Sequence, residues 1–109
     1  MTHDQYSEAI KSFCIYPDAG CGTDVEKAYL CLGLASEAGE VASLMKKEMR
    51  DGKDYEREIW LSEISDVLWY MTRLMDVYGF TLEDAMCYNV AKLSDRQQRN
   101  QISGDGNDR

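Results

Sequence analysis

The chain has one histidine, His3, one proline, Pro17, and no long apolar run in its 109 residues. Its four cysteines, Cys14, Cys21, Cys31 and Cys87, form no Cys-x-x-Cys pair, and none has a histidine close by, which excludes a zinc site of the usual Cys/His spacing. Each cysteine reads as a small core or surface residue. No stretch approaches the roughly 20 apolar residues that span a bilayer, and no signal peptide is recognised at the start, so a cytoplasmic protein with reduced thiols is expected. Positive charge is scarce too. Twelve Lys and Arg against 20 Asp and Glu give a net charge of −8, which argues against nucleic acid or an anionic membrane as a partner. Strand-like alternation, internal repeats and low-complexity blocks are all missing.

What remains is helical, and the expected fold class is all-α. Thr2 to about Phe13 reads as a short first helix with Tyr6, Ile10 and Phe13 on one side. The segment from Tyr16 to Thr23 holds the only proline and two glycines, and reads as a strap-like loop near a site. A second helix is expected from a Thr23 or Asp24 cap to about Arg50, ending at Asp51-Gly52, with Glu48 at its exposed end. The third runs from about Asp54 to Tyr78 and stops at Gly79. The fourth starts at Thr81 and covers about Leu82 to Arg99.

The chemistry concentrates on the two central helices, each of which carries two acids three residues apart: Glu37 with Glu40, and Glu63 with Asp66. Such pairs project from neighbouring turns in one direction. Leu30, Leu34, Glu37, Val41 and Leu44 fall on one face, so Glu37 interrupts an apolar stripe and points inward. On the third helix Trp60, Ile64, Val67, Met71, Leu74 and Tyr78 form an apolar stripe, and Ile59, Glu63, Asp66 and Tyr70 form the row beside it. Antiparallel packing brings these carboxylates together in a partly desolvated place, where mutual repulsion raises their pKa values unless a cation neutralises them. Oxygen-only donors favour Mg²⁺, with Mn²⁺ as a substitute, over Zn²⁺. A ferritin-like di-iron site also uses bundle carboxylates, but it requires a Glu-x-x-His on each of two helices.

Gly33 and Gly39 lie inside the second helix, each at a cost of about 1 kcal/mol relative to alanine, which points to a close approach of a helix, ion or ligand. The third helix is apolar on further faces, through Leu61, Leu68, Trp69 and Met75. So small a domain cannot cover all of that, and a second subunit is the expected cover. On the fourth helix Asn89, Lys92 and Arg96 share one face and suit a polyphosphate or nucleoside. Residues 101–109 form a polar tail, either disordered or a cover that orders on ligand, after a domain spanning residues 1–100.

The segments LGLASEAGEVASLMKK (Leu32 to Lys47), EISDVLWY (Glu63 to Tyr70), NVAKLSDRQQR (Asn89 to Arg99) and the GDGNDR tail resemble the MazG-like nucleoside triphosphate pyrophosphohydrolases of the all-α NTP pyrophosphatase group. The resemblance covers nearly the whole chain, with the first helix and the PDAG loop as its weaker parts. It implies a four-helix-type bundle completed as a dimer or tetramer. It also implies Mg²⁺-dependent hydrolysis of NTPs or dNTPs to monophosphate and pyrophosphate, in nucleotide-pool adjustment or house-cleaning. Glu37, Glu40, Glu63 and Asp66 carry over as metal ligands, and Asn89 and Lys92 as nucleotide contacts. Lys46 or Lys47 falls near the phosphates, and Tyr70 lines a base or sugar pocket. Ser62 and Ser65 stand where many relatives have Glu and Gly. The competing expectations are a narrow dUTP or dCTP pyrophosphatase and a non-catalytic helical interaction module.

Overall fold

The structure, a computed structural model, describes residues 1–109; its regular elements are all helices and it contains no strand. It divides into two compact units, Met1–Gly79 and Phe80–Arg109, each taken by itself below.

The first unit opens with α1, His3–Ala9. Thr2 caps it reciprocally: its hydroxyl accepts from the Gln5 amide, and the Gln5 side chain accepts from the Thr2 amide. The helix does not run on to Phe13 in α geometry as expected. It tightens into a 3₁₀ turn at Ile10–Phe13, which buries Ile10 and leaves Phe13 67% exposed. Such a turn is a common way to end a helix and re-aim the chain.

α2 spans Asp24–Asp51. The Thr23 hydroxyl accepts from the Glu26 amide at its start, and Gly52, left-handed at φ 66°, closes its end. Its inner face is the expected one, with Leu30 and Leu44 buried and Leu34, Glu37 and Val41 half-buried. Glu48 does not behave as a solvated terminal acid. Its carboxylate accepts from the Tyr55 amide at 2.7 Å and faces the Trp60 indole N–H at 3.4 Å, which ties down the connection to the next helix. That bond holds Tyr55 outside helical geometry, and α3 accordingly begins at Arg57 rather than near Asp54, running to Tyr78 with left-handed Gly79 as its cap.

α2 and α3 pair closely. Gly33 meets Tyr70, Glu37 meets Glu63 and Asp66, and Glu48 meets Trp60, so position numbers rise on one helix as they fall on the other. The packing is antiparallel. Burial on α3 corrects the expected stripe: Trp60, Val67 and Leu74 are half-buried, whereas Ile64, Met71 and Tyr78 are exposed. The reason is that α2 lies over the row holding Glu63 and Tyr70. The flank with Leu61, Ile64, Leu68 and Met71 is left uncovered.

The second unit contains α4, Leu82–Gln98, opened by a capping box between Thr81 and Asp84. Its tail is folded rather than loose: the Arg96 guanidinium donates to the Asn107 carbonyl at 2.7 Å and to its side-chain oxygen at 3.1 Å. Arg96 is thereby buried on a face that the sequence marks as polar.

Candidate metal centre

Three of the four expected carboxylates converge. Oxygens of Glu37, Glu63 and Asp66 lie within 4.8 Å of one another. The helical spacing explains the meeting: Glu63 and Asp66 sit on successive turns of α3, and both face the one inward carboxylate of α2. Glu40 is exposed and stands outside this trio, one turn along α2 from Glu37.

Glu37 and Glu63 are half-buried and Asp66 is exposed, and no ion pair or hydrogen bond neutralises them, whereas the buried carboxylate of Glu26 has several partners. Burial raises the Glu37 carboxyl above the ordinary carboxylate value, and the charges of Asp66, Glu63 and Glu40 raise it further. A hard divalent cation fits such a place. Octahedral oxygens at about 2.1 Å from Mg²⁺ lie at most about 4.2 Å apart, so small side-chain rotations from the present spread suffice. The donor set is all oxygen, as Mg²⁺ or Mn²⁺ prefers.

Glu37 and Asp66 also line a cleft of about 340 Å³ together with Phe13, Trp69 and Tyr70. Tyr70 is placed by an absence: a Cβ on Gly33 would collide with its ring, so glycine is what allows the ring against α2. Gly39, in contrast, has open space around it, and no close approach accounts for it.

Behind the cleft lies a carboxylate that periodicity did not single out. Glu26 is fully buried and accepts from the Tyr16 hydroxyl at 2.6 Å and from the Gly20 and Gly22 amides at 2.7 Å each, with the Arg73 guanidinium 3.7 Å away. Burial pushes its pKa up, but the bonds from Tyr16, Gly20 and Gly22 and the charge of Arg73 outweigh this and leave it below the ordinary value. The same arrangement drives the Tyr16 phenol up to about 12, through burial first and the bond to Glu26 second. Positive φ at Asp18, Gly20 and Gly22 lets the strap curl its amides around the acid. The sequence signal was Thr23-x-x-Glu26, which reads as a capping box; Thr23 does cap, but the Glu26 side chain turns to the loop instead.

The remaining expected residues are placed as follows. Lys46 is exposed and Lys47 half-buried, nine and ten residues beyond Glu37 on α2, or roughly 15 Å along the helix. In the second unit Asn89 and Lys92 line a pocket of about 550 Å³ with Phe80, Asp84, Ala85 and Tyr88. Lys92 also lies 3.4 Å from the Asn107 side-chain oxygen, which it shares with Arg96.

The family model described as MazG nucleotide pyrophosphohydrolase domain matches residues 26–100. The protein called Gene 37 protein of Mycobacterium phage L5 is 36% identical over 115 aligned positions, with 100% of each chain covered. No solved structure matches.

Proposed function

The chain belongs to the MazG nucleotide pyrophosphohydrolase family, and from that membership we propose that it hydrolyses nucleoside or deoxynucleoside triphosphates to the monophosphate and pyrophosphate with Mg²⁺ as cofactor. The observation that carries this reading is the trio Glu37, Glu63 and Asp66, three carboxylates from two helices brought together with no protein cation among them. Left alone, that arrangement is unfavourable; with a divalent ion it becomes a binding site.

An ion held there supplies charge neutralisation to phosphate oxygens and acidifies water. Glu37, Glu63 and Asp66 fix its position, and their helices hold them rigid. Glu40, exposed and one turn from Glu37, is free to take a proton from the attacking water. Asn89 and Lys92 supply an amide and a cation for the nucleotide, Arg96 is taken up by Asn107 and holds the tail, and Lys46 or Lys47 supplies a further cation for phosphate. The working form is a homo-oligomer, tetramer ahead of dimer, which acts without nucleic acid or membrane. Residues 1–100 form the functional domain, residues 101–109 its tail, and the compartment is the cytoplasm.

Positioning of this kind directs water to the α-phosphorus, with pyrophosphate as the leaving group. Hydrolysis in ¹⁸O-labelled water therefore places the label in the nucleoside monophosphate. Label in pyrophosphate would mean attack at the β-phosphorus, and release of orthophosphate with a nucleoside diphosphate would mean another reaction altogether.

A further inference from the structure

We infer that Phe13 and Trp69 form the wall against which the nucleoside of the substrate stacks; this assignment rests on the nucleotide reading above. Phe13 is the anomaly that leads to it. It is a large apolar side chain, about two-thirds exposed, at the end of a 3₁₀ turn that buries its neighbour Ile10. It does not face featureless solvent. It lines the same cleft as Glu37 and Asp66, two members of the carboxylate trio, with Trp69 and Tyr70 completing the wall.

Aromatic faces beside a triphosphate-binding ion are placed where the rest of a nucleotide must lie. Stacking on an aromatic ring suits every base, because each presents a π-face, and it gives affinity with little base preference. The cleft of about 340 Å³ is of the size that a nucleoside takes, at the lower end of small-molecule sites. With Glu37 and Asp66 given to the ion, the rings of Phe13, Trp69 and Tyr70 are left for the base and sugar.

The wall is stiff for a reason visible in the core. Trp69 packs edge-on against Tyr16, 6.0 Å between centroids, and against Tyr70, 5.0 Å. Tyr16 stacks on Tyr29 at 5.0 Å and is fixed at its hydroxyl by buried Glu26. Tyr70 is fixed in turn by its fit over Gly33. The anchored strap thus acts on the cleft through Tyr16, which is a positioning role, whereas Phe13 and Trp69 touch the substrate.

The test uses the full chain carrying Trp60→Phe, which leaves Trp69 as the only tryptophan. A non-hydrolysable α,β-methylene nucleoside triphosphate and inorganic tripolyphosphate, each with Mg²⁺, are titrated against Trp69 emission and by calorimetry. The nucleotide is expected to quench Trp69 saturably, and tripolyphosphate to leave it unchanged. Phe13→Ala, at an exposed position that should not disturb folding, is expected to weaken nucleotide binding roughly 5- to 150-fold, with Phe13→Trp restoring it. In turnover the loss falls on KM rather than kcat. Nucleotide binding that leaves Trp69 emission unchanged, or that is as tight in Phe13→Ala as in the parent, overturns the inference. Quenching without any hydrolysis keeps the stacking wall and removes the pyrophosphohydrolase reading. Hydrolysis with an unchanged KM in Phe13→Ala does the reverse.

Discussion

At the scale of single residues, the buried carboxylate of Glu26 and the half-buried one of Glu37 behave in opposite ways, and the difference separates structure from function. Glu26 has every partner a buried acid needs, and its pKa is lowered; Glu37 has none, and its pKa is raised. Glu26→Gln puts an NH₂ donor where one carboxylate oxygen accepts from the Tyr16 hydroxyl and strap amides and removes the charge facing Arg73, so it is expected to cost about 2–4 kcal/mol. The sign with pH follows from the lowered value. The stabilisation is fully present above the unfolded carboxyl's value of about 4.3 and is lost as pH falls through the lower folded value. Denaturant titrations should therefore show a constant gap between parent and variant from neutrality to about pH 5, which narrows below about pH 4. A gap that grows on acidification would contradict the assignment. Glu63→Gln should do the opposite to the apo protein. It relieves repulsion in the trio, so stability without metal is expected to hold or rise, while turnover disappears. The parent should gain up to about 2.7 kcal/mol when Mg²⁺ reaches a hundredfold excess over its dissociation constant, and the variant little of this. A Glu63→Gln protein that still turns over nucleotide with Mg²⁺ would remove Glu63 from the ligand set.

The two glycines of α2 make the argument at the scale of the element, because they look alike in sequence and differ in space. At Gly33 a methyl group meets the Tyr70 ring, and Gly33→Ala is expected to destabilise by about 1–3 kcal/mol through overpacking. At Gly39 nothing lies within 4 Å, so Gly39→Ala should gain up to about 1 kcal/mol of helix propensity. Thermal unfolding of both variants checks the pair, and equal effects would contradict the α2–α3 register. The register also shows how far the sequence could be read. The inner face of α2 was legible because Leu30, Leu34, Val41 and Leu44 define a single stripe around Glu37. The inner face of α3 was not, since that helix is apolar on several sides and periodicity alone cannot say which side a partner takes. The acid row proved to be the seam itself. Glu40 was placed with the trio because an i, i+3 pair shares a direction, yet the seam between the helices admits only the first acid of that pair. Glu26 escaped notice and Glu48 was read as an exposed terminal acid for a common reason: their partners include backbone amides of loops, and loop conformation leaves no periodic trace.

For the whole molecule, the fold exposes what small proteins ordinarily hide. Leu61, Ile64, Leu68 and Met71 form a stripe on the flank of α3 away from α2, and all four are exposed. Leu32, Met45 and Met49 are uncovered on α2 as well. A chain of 109 residues has no further element in its first unit to lay over that flank, and apolar stripes at helical spacing are what self-complementary interfaces are built from. The expected assembly is a homo-oligomer of the 12.5 kDa chain, tetramer ahead of dimer. Two substitutions tell assembly from folding. Met75 belongs to the same apolar region but is buried within the unit, so Met75→Asp should unfold the protein outright. Leu68 is exposed within the unit, so Leu68→Asp should release helical protomers of lower mass, seen by light scattering together with circular dichroism. The parent's melting temperature should rise with protein concentration, and that dependence should vanish in Leu68→Asp, because only an oligomer couples folding to mass action. A parent that stays monomeric at micromolar concentration would leave the α3 flank open to solvent and overturn the proposed assembly.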